Sequence, residues 1–169
     1  MAYVGDDYVL LHTEGGPVAW NVFGTAKLDG GHVARFPELS HELALSPEPV
    51  ADEKYVLDVD RVMGESLAGS LPIRAVLVPR IRGGKARLRR ASAGEALLAV
   101  APSTAFQMPY DGGEVMGSLA AVVRAVPAFA LEVGDDPAEL AEAVDRVLEE
   151  VGGSTAEPAF EAISQGVRG

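Results

Sequence analysis

With 169 residues, 48% hydrophobic content and a formal net charge of −11, the chain can bury an ordinary core and is too acidic for general affinity for nucleic acid or anionic membranes. It contains no cysteine, which excludes disulfides, thiolate metal sites and a cysteine nucleophile. No apolar run approaches the ~20 residues that span a bilayer, and no basic segment followed by an apolar one opens the chain, so a cytoplasmic location is expected.

Tyr3 to Leu11 is an apolar run split by Asp6 and Asp7. A strand sends alternate side chains to opposite faces and cannot bury both carboxylates cheaply, because an unpaired buried charge is strongly destabilised. The pair is therefore expected at a strand end, where it meets water, a cation or a ligand, and Gly5 lets the backbone approach closely there. A polar turn between hairpin strands accounts for the same spacing. Glu14-Gly15-Gly16 signals a turn, with Pro17 to Phe23 returning as the second arm of a hairpin. Residues 29–53 lack a sustained period and read as a long irregular connection with a short helix near Pro37 to Leu43. Tyr55-Val56-Leu57 and Ile73 to Val78 are the next strands, the second apolar enough to be buried on both faces. Arg87 to Arg90 reads as a short, more exposed strand.

The second half alternates helix and strand. Ser92-Ala93-Gly94-Glu95 has capping-box spacing and opens an apolar helix expected to stop before Pro102. Val115, Leu119, Val122, Val123 and Val126 recur at helical spacing and form one core-facing stripe. Ala128 to Val133 reads as a strand. Asp136-Pro137-Ala138-Glu139 combines an N-cap, a proline at the first helical position and an acidic first turn. It opens a helix with Leu140, Val144, Val147, Leu148 and Val151 buried and Gly152 as its stop. Residues 152–169 read as a tail, with a short helix around Phe160 and Ile163. Together these elements make an α/β fold, with α+β as the neighbouring alternative: a mixed sheet, strand-rich in the N-terminal half, with helices packed on it in the C-terminal half.

Half of the lysines and arginines fall within seventeen residues, as Arg74, Arg80, Arg82, Lys85, Arg87, Arg89 and Arg90. They compose either a local anion site on an acidic protein or a solvated basic hairpin. His12, His32 and His41 lack metal-ligand spacing. Ser92 reads as an N-cap rather than a nucleophile, and Trp20 as core or hairpin packing.

The run Tyr3-Val4-Gly5-Asp6-Asp7-Tyr8-Val9-Leu10-Leu11, then Thr25-Ala26-Lys27-Leu28, resembles bacterial kinases of the HPr kinase-like group. Ile73-Arg74-Ala75-Val76-Leu77-Val78-Pro79-Arg80-Ile81 continues the likeness. Val126-Pro127-Ala128-Phe129, Leu131-Glu132-Val133-Gly134 and a closing helix complete its order over residues 3–150. That family has a core related to phosphoenolpyruvate carboxykinases and phosphorylates serine with ATP and a divalent cation. The resemblance implies a kinase-like region over residues 1–151, corresponding to the C-terminal part of a P-loop kinase core. It implies that Asp6 and Asp7 hold Mg²⁺ and accept the serine hydroxyl proton, and that Lys27 contacts phosphate, a plain surface lysine being the alternative. Arg80, after Pro79 at the end of a buried strand, is placed either to bind phosphate in bidentate fashion or to fix the strand end to a nearby carboxylate. Phosphoryl transfer needs these services together. The family's Gly-x-x-x-x-Gly-Lys-Ser/Thr loop does not occur in the chain, and Gly83-Gly84-Lys85 does not replace it. The family's Glu-x-Arg-Gly segment is also missing, which points away from HPr itself as the acceptor.

Three functions follow as expectations. The first is an ATP-dependent serine kinase domain in clipped, split or retired form, inactive by itself. Its partners would be a serine-bearing protein or peptide, or a chain supplying the loop. The second is a non-catalytic peptide- or protein-binding module derived from that kinase, in which uncovered apolar surface promotes self-association. The third is a Mg²⁺-dependent hydrolase built on the Asp pair.

Overall fold

The computed structural model describes residues 2–43, 54–105 and 112–152. The chain divides into two compact units, one of Met1–His12 and Val18–Pro72, the other of Thr13–Pro17 and Ile73–Gly169. Helices and both parallel and antiparallel strand pairs are present, as the α/β reading expected, but the described strands form three separate sheets rather than one. The tail helix expected around Phe160 and Ile163 lies outside the described residues.

In the first unit, β1 (Val9–His12) pairs antiparallel with β2 (Val18–Asn21), which pairs with β5 (Ser70–Pro72). The β1–β2 turn takes Gly15 and Gly16 to φ of 77° and 123°, conformations that a side chain would strain. A second pair joins β3 (Thr25–Leu28) to β4 (Tyr55–Asp58). Short helices α1 (Gly30–Arg35) and α2 (Ser40–Leu43) lie between β3 and β4 in the chain, with a 3₁₀ turn at Pro37–Leu39 between them. Asp58 then caps α3 (Val59–Met63), accepting the Arg61 N–H at 3.2 Å. Among the described residues, Ala19, Leu43, Leu57 and Val59 are the buried apolar residues of this unit.

The second unit has three layers. Its sheet runs in the order β6 (Val76–Ile81), β8 (Ala128–Val133), β7 (Arg87–Ala91), with β6 parallel and β7 antiparallel to β8. Helices α4 (Ala93–Ala105) and α5 (Gly112–Ala125) belong to the layer on one face, where Val78, Ala96, Val123 and Ala128 make the core. Helix α6 (Pro137–Gly152) covers the other face, with Phe129, Val147 and Val151 buried. Asp136 caps α6 by accepting the Ala138 N–H at 2.8 Å, as its spacing predicts.

Four local expectations are corrected. The strand expected at Ile73 to Val78 begins at Val76 and occupies an edge, so Val78 alone is buried and Ile81 is 90% exposed. The edge position tolerates Pro79, which has no N–H to donate. Helix α4 does not stop before Pro102 but continues to Ala105. Pro102 and Leu98, whose carbonyl the proline leaves without its helical donor, are both exposed, so water can substitute. In α6 the buried stripe is Ala143, Val147 and Val151, while Leu148 is 51% exposed. Finally, the capping box at Ser92 is half made: Ser92 Oγ accepts the Glu95 N–H at 3.1 Å, but the Glu95 carboxylate turns to arginines.

No helix among the described residues is long and apolar enough to cross a membrane.

Candidate functional site

The Asp pair stands at a bend before β1, the strand-end position its chemistry requires. Two anchors hold the preceding segment. Tyr3 donates its N–H to Ser66 O and accepts from the Ala68 N–H, each at 2.7 Å. Asn21 Nδ2 donates to Val4 O at 2.7 Å and to Phe23 O at 3.0 Å, tying the segment to the end of β2. Gly5 makes the bend possible: a Cβ there would lie 2.9 Å from Val9 Cγ1 and 3.0 Å from Tyr8 O. Asp6 and Asp7 therefore leave an anchored strand on a tight bend, both exposed.

Lys27, on β3, meets both carboxylates. Its backbone N–H donates to Asp6 Oδ2 at 2.8 Å, and its Nζ donates to Asp7 Oδ2 at 2.6 Å. One residue thus sets the orientation of two acids twenty or more positions away in the chain. The hydrogen bond and charge of Asp7 raise the Lys27 pKa above its ordinary 10.5. Partial burial, then the nearby charges of Asp6 and Asp7, raise that of Tyr3, whose hydroxyl donates to Thr25 O at 3.1 Å.

The contacts to Lys27 use the Oδ2 atom of each aspartate. Among the described residues, no group of three or more His, Asp or Glu is placed to hold a metal. Two carboxylates nonetheless fit Mg²⁺, which keeps several waters and is commonly held by one or two carboxylates together with substrate phosphates. They do not fit the more numerous carboxylate ligands of a two-metal hydrolase.

Arg80 belongs to the second unit, in β6. Its Nη2 lies 3.3 Å from Glu95 Oε1. Arg89 grips the same carboxylate with two nitrogens, at 2.6 and 3.1 Å. The Arg89 hydrogen bond lowers the Glu95 pKa below its ordinary 4.5, and Glu95 in turn raises that of Arg89. Strand register sets Arg80, Glu132 and Arg87 in one rank across the sheet. The basic stretch is thus partly neutralised from within, by residues that spacing identified only as a cap and a strand.

The structure unites Asp6, Asp7 and Lys27 and gives Arg80 a carboxylate partner of its own. Reading along the chain missed Tyr3 and Asn21 as the anchors of the bend and Glu95 as the partner of Arg80. His12 is exposed in β1, and His41 Nδ1 lies 3.8 Å from Glu42 Oε1. Comparison with protein-family models, curated proteins and solved structures found no match for this chain.

Proposed function

We propose that this chain carries the acceptor-activating part of an HPr kinase-like, ATP-dependent serine kinase. The observation that carries this reading is the convergence of Asp6, Asp7 and Lys27 on one exposed strand-end bend. In the reading, one aspartate holds Mg²⁺ through its oxygen ligands and the other accepts the serine hydroxyl proton. Lys27 supplies a point charge that moves from Asp7 to a phosphate oxygen when substrate is present. Bound Mg²⁺ would neutralise charge on the transferred phosphoryl group. The phosphate-cradling loop is not in this sequence, so the chain by itself is proposed to be inactive, with a second segment or chain supplying those backbone N–H groups.

A concrete test joins the chain to an N-terminal segment bearing a Gly-x-x-x-x-Gly-Lys-Ser/Thr loop. ATP turnover or serine phosphorylation should appear with MgATP and vanish in Asp7→Asn. Activity that survives both Asp6→Asn and Asp7→Asn would refute the assigned roles.

A second reading, a non-catalytic peptide- or protein-binding module, draws on the outer face of the β1–β2 pair. Leu10 is 64% exposed and sits opposite Trp20, itself 42% exposed. Tyr8 and Phe23 meet edge to face beside them, with ring centroids 6.4 Å apart. Co-purification of a partner unaffected by nucleotide, together with no activity in the fused protein, would favour this reading over the kinase.

A further inference from the structure

Strand β7 ends in Arg89-Arg90-Ala91, and Ser92 follows as the exposed residue before helix α4. Two guanidinium groups therefore stand three and two residues ahead of a serine hydroxyl. No other serine or threonine in the chain has arginine at both positions. We infer that Ser92 is a phosphorylation site for a serine kinase whose substrate cleft bears carboxylates that read those two arginines.

Three features of the fold make the segment presentable. Residues Arg87–Ala91 are already extended, the form in which peptide clefts take their ligands. Strand β7 is an edge in the order β6-β8-β7, so one side of its backbone has no strand partner among the described residues. The side chains of Arg89 and Arg90 are each more than half exposed, although Arg89 pairs with Glu95 and Arg90 with Glu150 and the Phe129 ring. Exposed ion pairs of this kind are weak and exchange readily for the carboxylates of a partner.

The step balances simply. Ser92 Oγ attacks the γ-phosphorus of ATP, forming an O–P bond as the bond from that phosphorus to the β,γ-bridging oxygen breaks. ADP leaves, and the hydroxyl proton passes to the general base of the kinase. The product places a phosphate at the N-cap of the 13-residue helix α4, where its positive end favours negative charge. Arg80 and Arg89 there share the single carboxylate of Glu95, so the second guanidinium is available to the new dianion. Modification would move arginine from Glu95 to phosphate and re-set the β7–α4 corner.

The test uses the full chain with MgATP and the catalytic subunit of cyclic-AMP-dependent protein kinase, which selects arginine at these two positions. A peptide of residues 86–97 serves as the reference. The expected result is one phosphoryl group, mapped to Ser92 by fragmentation mass spectrometry. Ser92→Asn, which retains a capping side chain, should take none. Arg89→Gln and Arg90→Gln, each shown to be folded by circular dichroism, should be modified about tenfold more slowly, as loss of a charge-assisted contact implies. Labelling of Ser92→Asn, or labelling mapped elsewhere, would overturn the inference. A folded chain left unmodified while the peptide is consumed would overturn it equally, and so would an unreactive peptide.

Discussion

Gly134 joins β8 to the corner before α6, and its lack of a side chain is a packing requirement. A Cβ there would collide with Gly84 O and lie 2.7 Å from Ala86 N and 2.9 Å from Lys85 C. Those atoms are backbone and cannot swing aside. The loop that carries them is tied down on several sides. Gly84 N–H donates to Asp135 Oδ2 at 2.8 Å, Asp135 N–H to Gly84 O at 3.0 Å, and Ala86 N–H to Glu139 Oε2 at 2.8 Å. Relieving the clash in Gly134→Ala means moving the loop and stretching two or three of these bonds. At about 1 kcal/mol each, with residual overpacking added, the loss is about 2–4 kcal/mol. For a chain of this size that corresponds to a fall in Tm of about 5–15 °C. The contrast is Gly117→Ala in α5, where a Cβ meets nothing within 4 Å. That change should stabilise by about 0.5–1 kcal/mol, because alanine is the better helix former. Parallel thermal melts and urea titrations of the two variants make the measurement. An unchanged midpoint in Gly134→Ala would refute the close approach of the Gly83–Ala86 loop to β8.

Other consequences are as direct. Phe129, on β8, is 1% exposed, packed beside Val147 and Val151 of α6 and under the Arg90 guanidinium at 4.5 Å. Phe129→Ala should cost about 3–5 kcal/mol in urea titration, and a loss under about 1 kcal/mol would contradict that packing. Because the folded pKa of Glu95 lies below its ordinary 4.5, its pairing stabilises above that value and is lost as pH falls through the folded pKa. The Tm gap between the native protein and Arg89→Gln should hold from neutral pH to about 4.5 and close in stronger acid. Lys27 titrates the other way. With its pKa raised above 10.5, its pairing with Asp7 is fully present below that value and is lost as pH rises through the folded pKa. On the alkaline side the gap between native protein and Lys27→Gln should therefore shrink only in strong base, and one that closes near neutrality would show that the Nζ–Asp7 contact does not form.

Legibility in the sequence followed the range of the physics involved. Signals that act over one turn or one strand were readable: the Asp136 cap, the extent of β8, the glycine turn after β1, and the strand-end position of the Asp pair. Each depends on neighbours within a few residues. Pairing order was not readable, because it is set by β8, some fifty residues later, inserting between β6 and β7; within Val76–Ile81 only Pro79 marks an edge. Leu148 has the spacing of a core residue, yet the face of α6 that meets the sheet is centred on Ala143, Val147 and Val151. Apolar spacing defines a stripe about 100° wide or more, and only the partner surface selects its centre. Lys27 illustrates the same limit. Its side chain was expected near phosphate by resemblance, whereas its contact with Asp7 and its backbone contact with Asp6 arise from tertiary approach of β3.

That double contact bears on how the Asp pair can work. The bond from the Lys27 backbone N–H to Asp6 persists whatever side chain stands at position 27, so Asp6 keeps its orientation through any charge exchange at the lysine. The Nζ bond to Asp7 is different in kind: an exposed ion pair that a divalent cation or a phosphate can break. A cation reaching Asp7 competes with Lys27 for the same carboxylate, and the displaced ammonium is left beside it with its charge available. If a cation were bound there, its entry and the release of Lys27 toward a phosphate would be two sides of one exchange. Under the kinase reading proposed above, Asp6 would be the fixed member of the pair and Asp7 the exchangeable one, so that Asp6 would suit the acceptor and Asp7 the metal. The arrangement also explains why a surface lysine and two surface acids can be more than solvated charges. Their spacing in the chain is arbitrary, but their geometry on the bend allows the exchange.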